Sequence, residues 1–211
     1  MALGLLGTKL GMTTAFDERG RAVAVTVLEI TPNRVTQVKT VAKDGYDAVQ
    51  VGVGEKRHPT KPETGHAARS GGPAPAFVRE FRIAEEPPAI GSLLTVDLLA
   101  DVAAVDISAR SKGKGFAGVV KRHNFSRGPK THGSKAYRRP KSSGTSATPS
   151  EVLNGRPMPG HMGAAWTTCR NVKVFKIDAA KSLLVVKGAT PGPNGCLVVV
   201  RPTGKRRRHH K

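Results

Sequence analysis

Short apolar runs, rich in valine, leucine and isoleucine and separated by turn residues, set the pattern of the first hundred positions. They are Leu3 to Leu6, Ala22 to Ile30, Arg34 to Val41, Tyr46 to Val53, Phe77 to Ile83 and Leu93 to Leu98. Alternation is clearest at Val23, Val25 and Val27 and at Val49, Val51 and Val53, so each run presents one apolar face to a core. Turn chemistry falls between the runs, at Asp17 to Gly20, Thr31 to Asn33, Lys43 to Gly45 and Glu86 to Pro88, and these short spacings predict hairpins. From His58 to Pro75 the pattern lapses into a surface insertion whose only helix candidate is a short turn around Thr64 to Arg69. The β pattern returns at Val172 to Ile177, Leu183 to Val186 and Leu197 to Val200, and the stiff Gly-Pro turn between the last two is expected to close a hairpin. The chain is therefore read as mainly β. A barrel body comes from residues 1–106 and 164–204, residues 107–163 form a long internal loop, and residues 205–211 are a tail. There is no internal repeat.

Charge changes the picture of that loop. Ile107 to Ser150 contains no aspartate or glutamate and holds eleven lysines and arginines: Arg110, Lys112, Lys114, Lys121, Arg122, Arg127, Lys130, Lys135, Arg138, Arg139 and Lys141. Glycine, serine and proline fill much of the remainder, so the segment has too little apolar surface to offset the entropy of ordering its own backbone. A polyanion would supply the missing order. The net charge of +20 is concentrated there and beyond: residues 1–106 carry 12 basic and 13 acidic side chains, and residues 151–204 carry seven and two. Such asymmetry implies an anionic partner on one side of the molecule. The tail, Lys205 to Lys211, adds five more basic groups and reads either as a solvated extension or as a further phosphate contact.

Membrane binding fits poorly, because no apolar run approaches the roughly 20 residues of a spanning helix and the basic segment lacks an amphipathic period. The N-terminal stretch has no basic n-region or small-residue cleavage site, which predicts a cytoplasmic protein. Cys169 and Cys196 show no CxxC spacing, fit a reducing compartment, and are expected to act as small buried hydrophobes.

Candidate chemistry in the loop is sparse. Gly113, Gly115 and Gly118 match G-x-G-x-x-G, with Val120 extending it to the pattern of a nucleotide-covering loop. A dinucleotide site needs an acid about 20 positions on, yet the next acid is Glu151. Nor does the chain supply the lysine strand and aspartate loops of a kinase. The better account is that these glycines let backbone approach phosphates while Lys112 and Lys114 neutralise them. His123, His132 and His161 lack i, i+4 spacing and nearby carboxylates, so stacking or phosphate contact is expected and no metal. The loop's serines have no carboxylate to orient a base, so no catalytic residue is assigned. Of the aromatics, Phe116 and Phe125 are expected to pack the loop's root onto the barrel. Tyr137, deeper in the basic run, is the stacking candidate, and Trp166 is expected in the core or at the root.

The residues also resemble a known family. From Leu99 to Asp106, then Ala109, Ser111, Gly113, Lys114, Gly115, Gly118 and Arg122, the spacing is similar to the signature of the universal large-subunit ribosomal protein three family, bacterial type. Further similarities run over nearly the whole chain, including GLLGTKLGMTTAFD, DGYDAVQVG, FVREFR, KTHGSKAYRRP, GRPMPGHMG and LLVVKGATPGPNG. The resemblance implies a translation-protein-type β-barrel with a small α+β insertion, placed at about residues 55–90, and a loop threading through large-subunit ribosomal RNA toward the peptidyl transferase centre. It further implies a role in early subunit assembly, with ribosomal proteins fourteen and nineteen as neighbours.

The expected RNA-binding residues are Lys112, Lys114, Lys121, Arg122, His123, Arg127, Lys130, His132, Lys135, Tyr137, Arg138, Arg139 and Lys141. By position in the family the loop tip falls at Ser143, Gly144, Thr145, Ser146, Ala147 and Thr148. Thr145 stands where many bacterial members carry a methylated glutamine, and threonine cannot accept that amide methylation. No cofactor, metal, membrane or small-molecule substrate is expected, and the chain is not read as an enzyme. The rival reading is a stand-alone RNA chaperone or RNA-modifying enzyme, for which no convergent acid and base groups are found.

Overall fold

The computed structural model describes residues 3–83, 86–140, 142–144 and 147–204. The chain is mainly β. It divides into two compact units, one from the residues up to Arg110 and from Trp166 onward, the other Ser111–Ala165. In the first unit six strands close into a barrel: β1 (Leu5–Phe16), β2 (Ala22–Glu29), β7 (Ala104–Arg110), β10 (Trp166–Asp178), β11 (Leu183–Lys187) and β12 (Leu197–Pro202). Around the barrel the order is β1, β12, β7, β10, β11, β2, every neighbouring pair antiparallel.

Period-two alternation builds its interior. In β7, Val105, Ile107 and Ala109 are wholly buried while Asp106, Ser108 and Arg110 alternate with them toward the outside. Leu5, Leu28, Leu184, Val186, Val198 and Val200 complete that core, joined by Val96 and Leu99 from a 3-10 turn at Val96–Leu99. Leu6 and Val199, paired in register, belong to a second cluster instead, as residues of opposite pleat must.

That second cluster is shared with a four-stranded sheet of order β5 (Phe77–Arg82), β4 (Ala48–Val53), β3 (Asn33–Lys39), β6 (Leu93–Leu94). Val35, Val49, Val51, Val53 and Phe81 meet Leu6 and Val199 there. Two short helices accompany the sheet, α1 (Val41–Asp44) and α2 (Lys61–Ala68). The inserted α+β element thus begins at Asn33 rather than near residue 55. Periodicity reports which face of a strand is buried but not against which sheet, so β3 and β4 read as barrel strands. Leu93 to Leu98 likewise splits into the two-residue β6 and the 3-10 turn. Composition misplaced the loop's start as well: Ile107 and Ala109 are core residues of β7, and the separate unit begins at Ser111. Cys169 and Cys196 are free, half-buried thiols, and burial pushes the Cys196 thiol above its ordinary pKa. Among the described residues no helix is long and apolar enough to cross a membrane.

Candidate nucleic-acid interface

The unit Ser111–Ala165 holds eleven lysines and arginines against one glutamate, Glu151. Its root is a two-stranded ribbon, β8 (Phe116–Ala117) paired with β9 (Gly160–His161). Backbone bonds extend it: Ser111 N–H donates to Ala165 O at 2.9 Å, Lys114 N–H to Met162 O at 2.9 Å, and Met162 N–H to Gly115 O at 2.9 Å. The glycine-lysine motif is therefore one rail of a ribbon, which leaves Lys112 and Lys114 as exposed side chains along it. Gly163, at φ 76°, is where the rails come closest, since a Cβ there would lie 2.2 Å from the Lys112 carbonyl oxygen. No other residue type fits that position without moving the opposite strand.

After the ribbon comes α3 (Val119–His123), closed by Asn124 in the left-handed region at φ 57°. Its last turn carries Lys121, Arg122 and His123, which suit the partial negative charge of a helix C-terminus. Two of these side chains bind their own unit: Arg122 Nη1 donates to the Met158 carbonyl at 2.8 Å, and His123 Nε2 lies 3.1 Å from the same oxygen. The Arg122 guanidinium also occupies the space beside Gly160, where a Cβ would stand 2.5 Å from Nη1. Farther along, Arg127 Nη1 donates to the Tyr137 hydroxyl at 2.7 Å, and the Arg127 and Lys130 cations sit 5.6 and 5.4 Å from the Tyr137 ring centroid. Tyr137 is half-buried in this clasp, so it organises cations of its own unit. Lys112, Lys114, Lys121, Lys130, His132, Lys135, Arg138 and Arg139 all remain exposed, as do Ser143, Gly144, Ala147 and Thr148 of the expected tip. Lys141, Thr145, Ser146 and the tail Lys205 to Lys211 lie outside the described residues.

The two units treat charge differently. In the inserted sheet Lys39 bonds Glu80 at 2.9 Å, and the Tyr46 hydroxyl donates to the same carboxylate at 2.7 Å. The Lys39 ammonium holds the Glu80 carboxyl below its usual range. Near α2, Lys56 lies 2.5 Å from Glu63, and this bond with two from Thr60 lowers the Glu63 pKa to about 2. These are the two ion pairs found among the described residues, and neither involves Ser111–Ala165. Among the described residues, the arm's lysines and arginines are exposed and none is ion-paired, a surface able to neutralise closely spaced phosphates.

Two aromatic expectations are corrected. Phe116 is 80% exposed, opposite His161, because alternation on the ribbon gives the covered face to Ala117, which is 3% exposed. Trp166 is 53% exposed at the start of β10, opposite Arg110 on the outer side of the barrel, with the Arg79 guanidinium 5.4 Å from its ring centroid. Arg156, absent from the expected set, belongs to the same basic unit and donates to the Ser142 carbonyl. The acid-free window had closed at Glu151, which hid it.

Comparison with known proteins identifies relatives of the chain. The family model for ribosomal protein L3 matches residues 71–183. The large ribosomal subunit protein uL3 of Methylobacillus flagellatus is 46% identical over 211 residues, covering 97% of this chain and 99% of the relative. The protein of the same name from Pseudomonas aeruginosa is 47% identical over 210 residues, covering 98% and 100%. That from Synechococcus sp. is 46% identical over 205 residues, covering 96% and 95%. On a family match spanning more than half its length, and on relatives this similar end to end, the chain belongs to the ribosomal protein L3 family.

Proposed function

We propose that the protein is a structural constituent of the large ribosomal subunit, that it binds large-subunit ribosomal RNA through Ser111–Ala165, and that it takes part in early subunit assembly. The observation that carries this reading is the set of exposed lysines and arginines in that unit beside a single glutamate. The ribbon and α3 fix the root of the arm. Lys112, Lys114, Lys121, Arg127, Lys130, Lys135, Arg138, Arg139 and Lys141 meet phosphates, with His123 and His132 alongside them. Ser143 to Thr148 form an uncharged tip whose small side chains sit close to the peptidyl transferase centre, where catalysis belongs to the RNA. Ribosomal proteins fourteen and nineteen are its neighbours in this reading. The chemistry asked of the chain is positioning and charge neutralisation, for which no cofactor is required.

The salt dependence of binding tests it. If about eight cations displace counter-ions, log affinity for a large-subunit ribosomal RNA fragment falls against log salt with a slope of roughly −6 to −7. A slope near zero would sink the reading.

A further inference from the structure

Within Ser111–Ala165 lies a cleft of about 450 Å³, inside the size range of small-ligand sites. Three separate stretches of chain wall it. Phe125, Pro157 and Met158 supply apolar surface, while Asn124, Arg139 and Arg156 supply the polar edge. We infer that this cleft receives one unstacked nucleobase of the RNA, stacked against Phe125, with Arg139 on the adjoining phosphate.

The inference rests on the RNA-binding reading above and deepens it. The walls are tied together by the protein itself. Arg122 and His123 hold the Met158 carbonyl, Arg156 holds the Ser142 carbonyl, and Asn124 closes α3 in the left-handed conformation that turns the chain into Phe125. The Phe125 ring is steadied by His123, ring centroids 6.2 Å apart. A site held in this way is largely formed before its ligand arrives, so little ordering cost is left for binding.

The combination of walls selects the ligand. A carboxylate side chain would satisfy the guanidinium groups and leave the apolar walls wet, and an aliphatic side chain would do the reverse. A nucleotide satisfies both. Its ring stacks on phenylalanine or arginine planes, its edge meets the Asn124 carboxamide, which both donates and accepts, and its phosphate meets a guanidinium. Among the described residues lining the cleft there is no acid to oppose that phosphate.

The test uses the full-length chain bound to transcribed large-subunit ribosomal RNA. Irradiation at a wavelength absorbed by the bases, followed by mass spectrometry, is expected to yield a nucleotide adduct on the peptide containing Phe125 or that containing Met158. Phe125→Leu keeps an apolar wall but removes the stacking plane, and should weaken binding by roughly 5- to 150-fold. Phe125→Tyr should stay within about twofold of the parent, and the salt slope should be unchanged in both. Adducts confined to other segments, together with Phe125→Leu binding like the parent at an intact salt slope, would overturn the cleft assignment while leaving RNA binding in place. A loss shared equally by Phe125→Tyr would assign Phe125 to packing and overturn it too. A vanished salt slope in the parent would instead strike the broader reading.

Discussion

Asn33 has no exposed surface, and its carboxamide closes three backbone groups. It accepts from Leu6 N–H at 2.8 Å and donates to Leu6 O at 2.9 Å and Thr31 O at 2.6 Å. It therefore pins the first residue of β3 to the edge of β1, at the point where the chain leaves the barrel for the inserted sheet. Asn33→Ala strands a buried N–H and a buried carbonyl, and should cost about 2 kcal/mol of stability. A urea titration of the full chain would read this as a lower midpoint at unchanged slope. An unchanged midpoint would mean that water replaces the amide at no cost. Lys9 shows the same kind of hidden role: it is 5% exposed, and its ammonium donates to the carbonyls of Thr190 at 2.9 Å and Gly192 at 3.1 Å. Neither role is legible along the chain. The partners of Lys9 lie some 180 positions away, and nothing in local spacing distinguishes a buried lysine from the exposed ones.

Elements fared better where one physical rule decides them. Val49, Val51 and Val53 alternate and are buried as a set, but the Gly-Pro turn between β11 and β12 closes no hairpin: β11 pairs with β10 and β2, and β12 with β1 and β7. What the pattern could not supply was each strand's partner, because a valine face looks the same whether it meets the barrel interior or the inserted sheet. The ribbon at the arm's root was hidden for a related reason: Gly113, Gly115, Gly160 and Gly163 have no apolar period to announce a strand, and its hydrogen bonds join positions about 50 apart. Tyr137, read from the sequence as a base-stacking ring, has Arg127 and Lys130 gathered at its face in the fold, partners that local spacing does not announce. The ribbon offers a direct check. Gly163→Ala would place a methyl group against the Lys112 carbonyl at a positive φ, a strain of about 2 kcal/mol. Hydrogen exchange should accelerate at the amides of Lys114 and Met162 in the free protein while barrel amides such as that of Ile107 keep their protection. Equal acceleration in both places would show that the strain is not local.

At the scale of the whole molecule, both hydrophobic clusters are built, among the described residues, without any from Ser111–Ala165. The flanking residues Arg110 and Trp166 face each other in register on β7 and β10. A chain in which Ser111–Ala165 is replaced by an Asn-Gly turn should therefore still unfold cooperatively, with a midpoint within a few degrees of the parent, and should lose the steep salt dependence of RNA binding. Calorimetry and a salt titration check the two halves of that expectation. A broad transition without cooperativity would show that the barrel needs the arm.

The rung formed by Arg110 and Trp166 also bears on how long the arm can be. Because both ends of the excursion are fixed to one spot, lengthening it alters the body only through the entropy of closing a larger loop, about 0.6 kcal/mol for each doubling. Stability of the body thus sets almost no limit on reach. On the proposed RNA-binding role, the length of Ser111–Ala165 is free to answer to the depth of the RNA it would cross, and relatives could lengthen or shorten it without redesigning a single barrel residue.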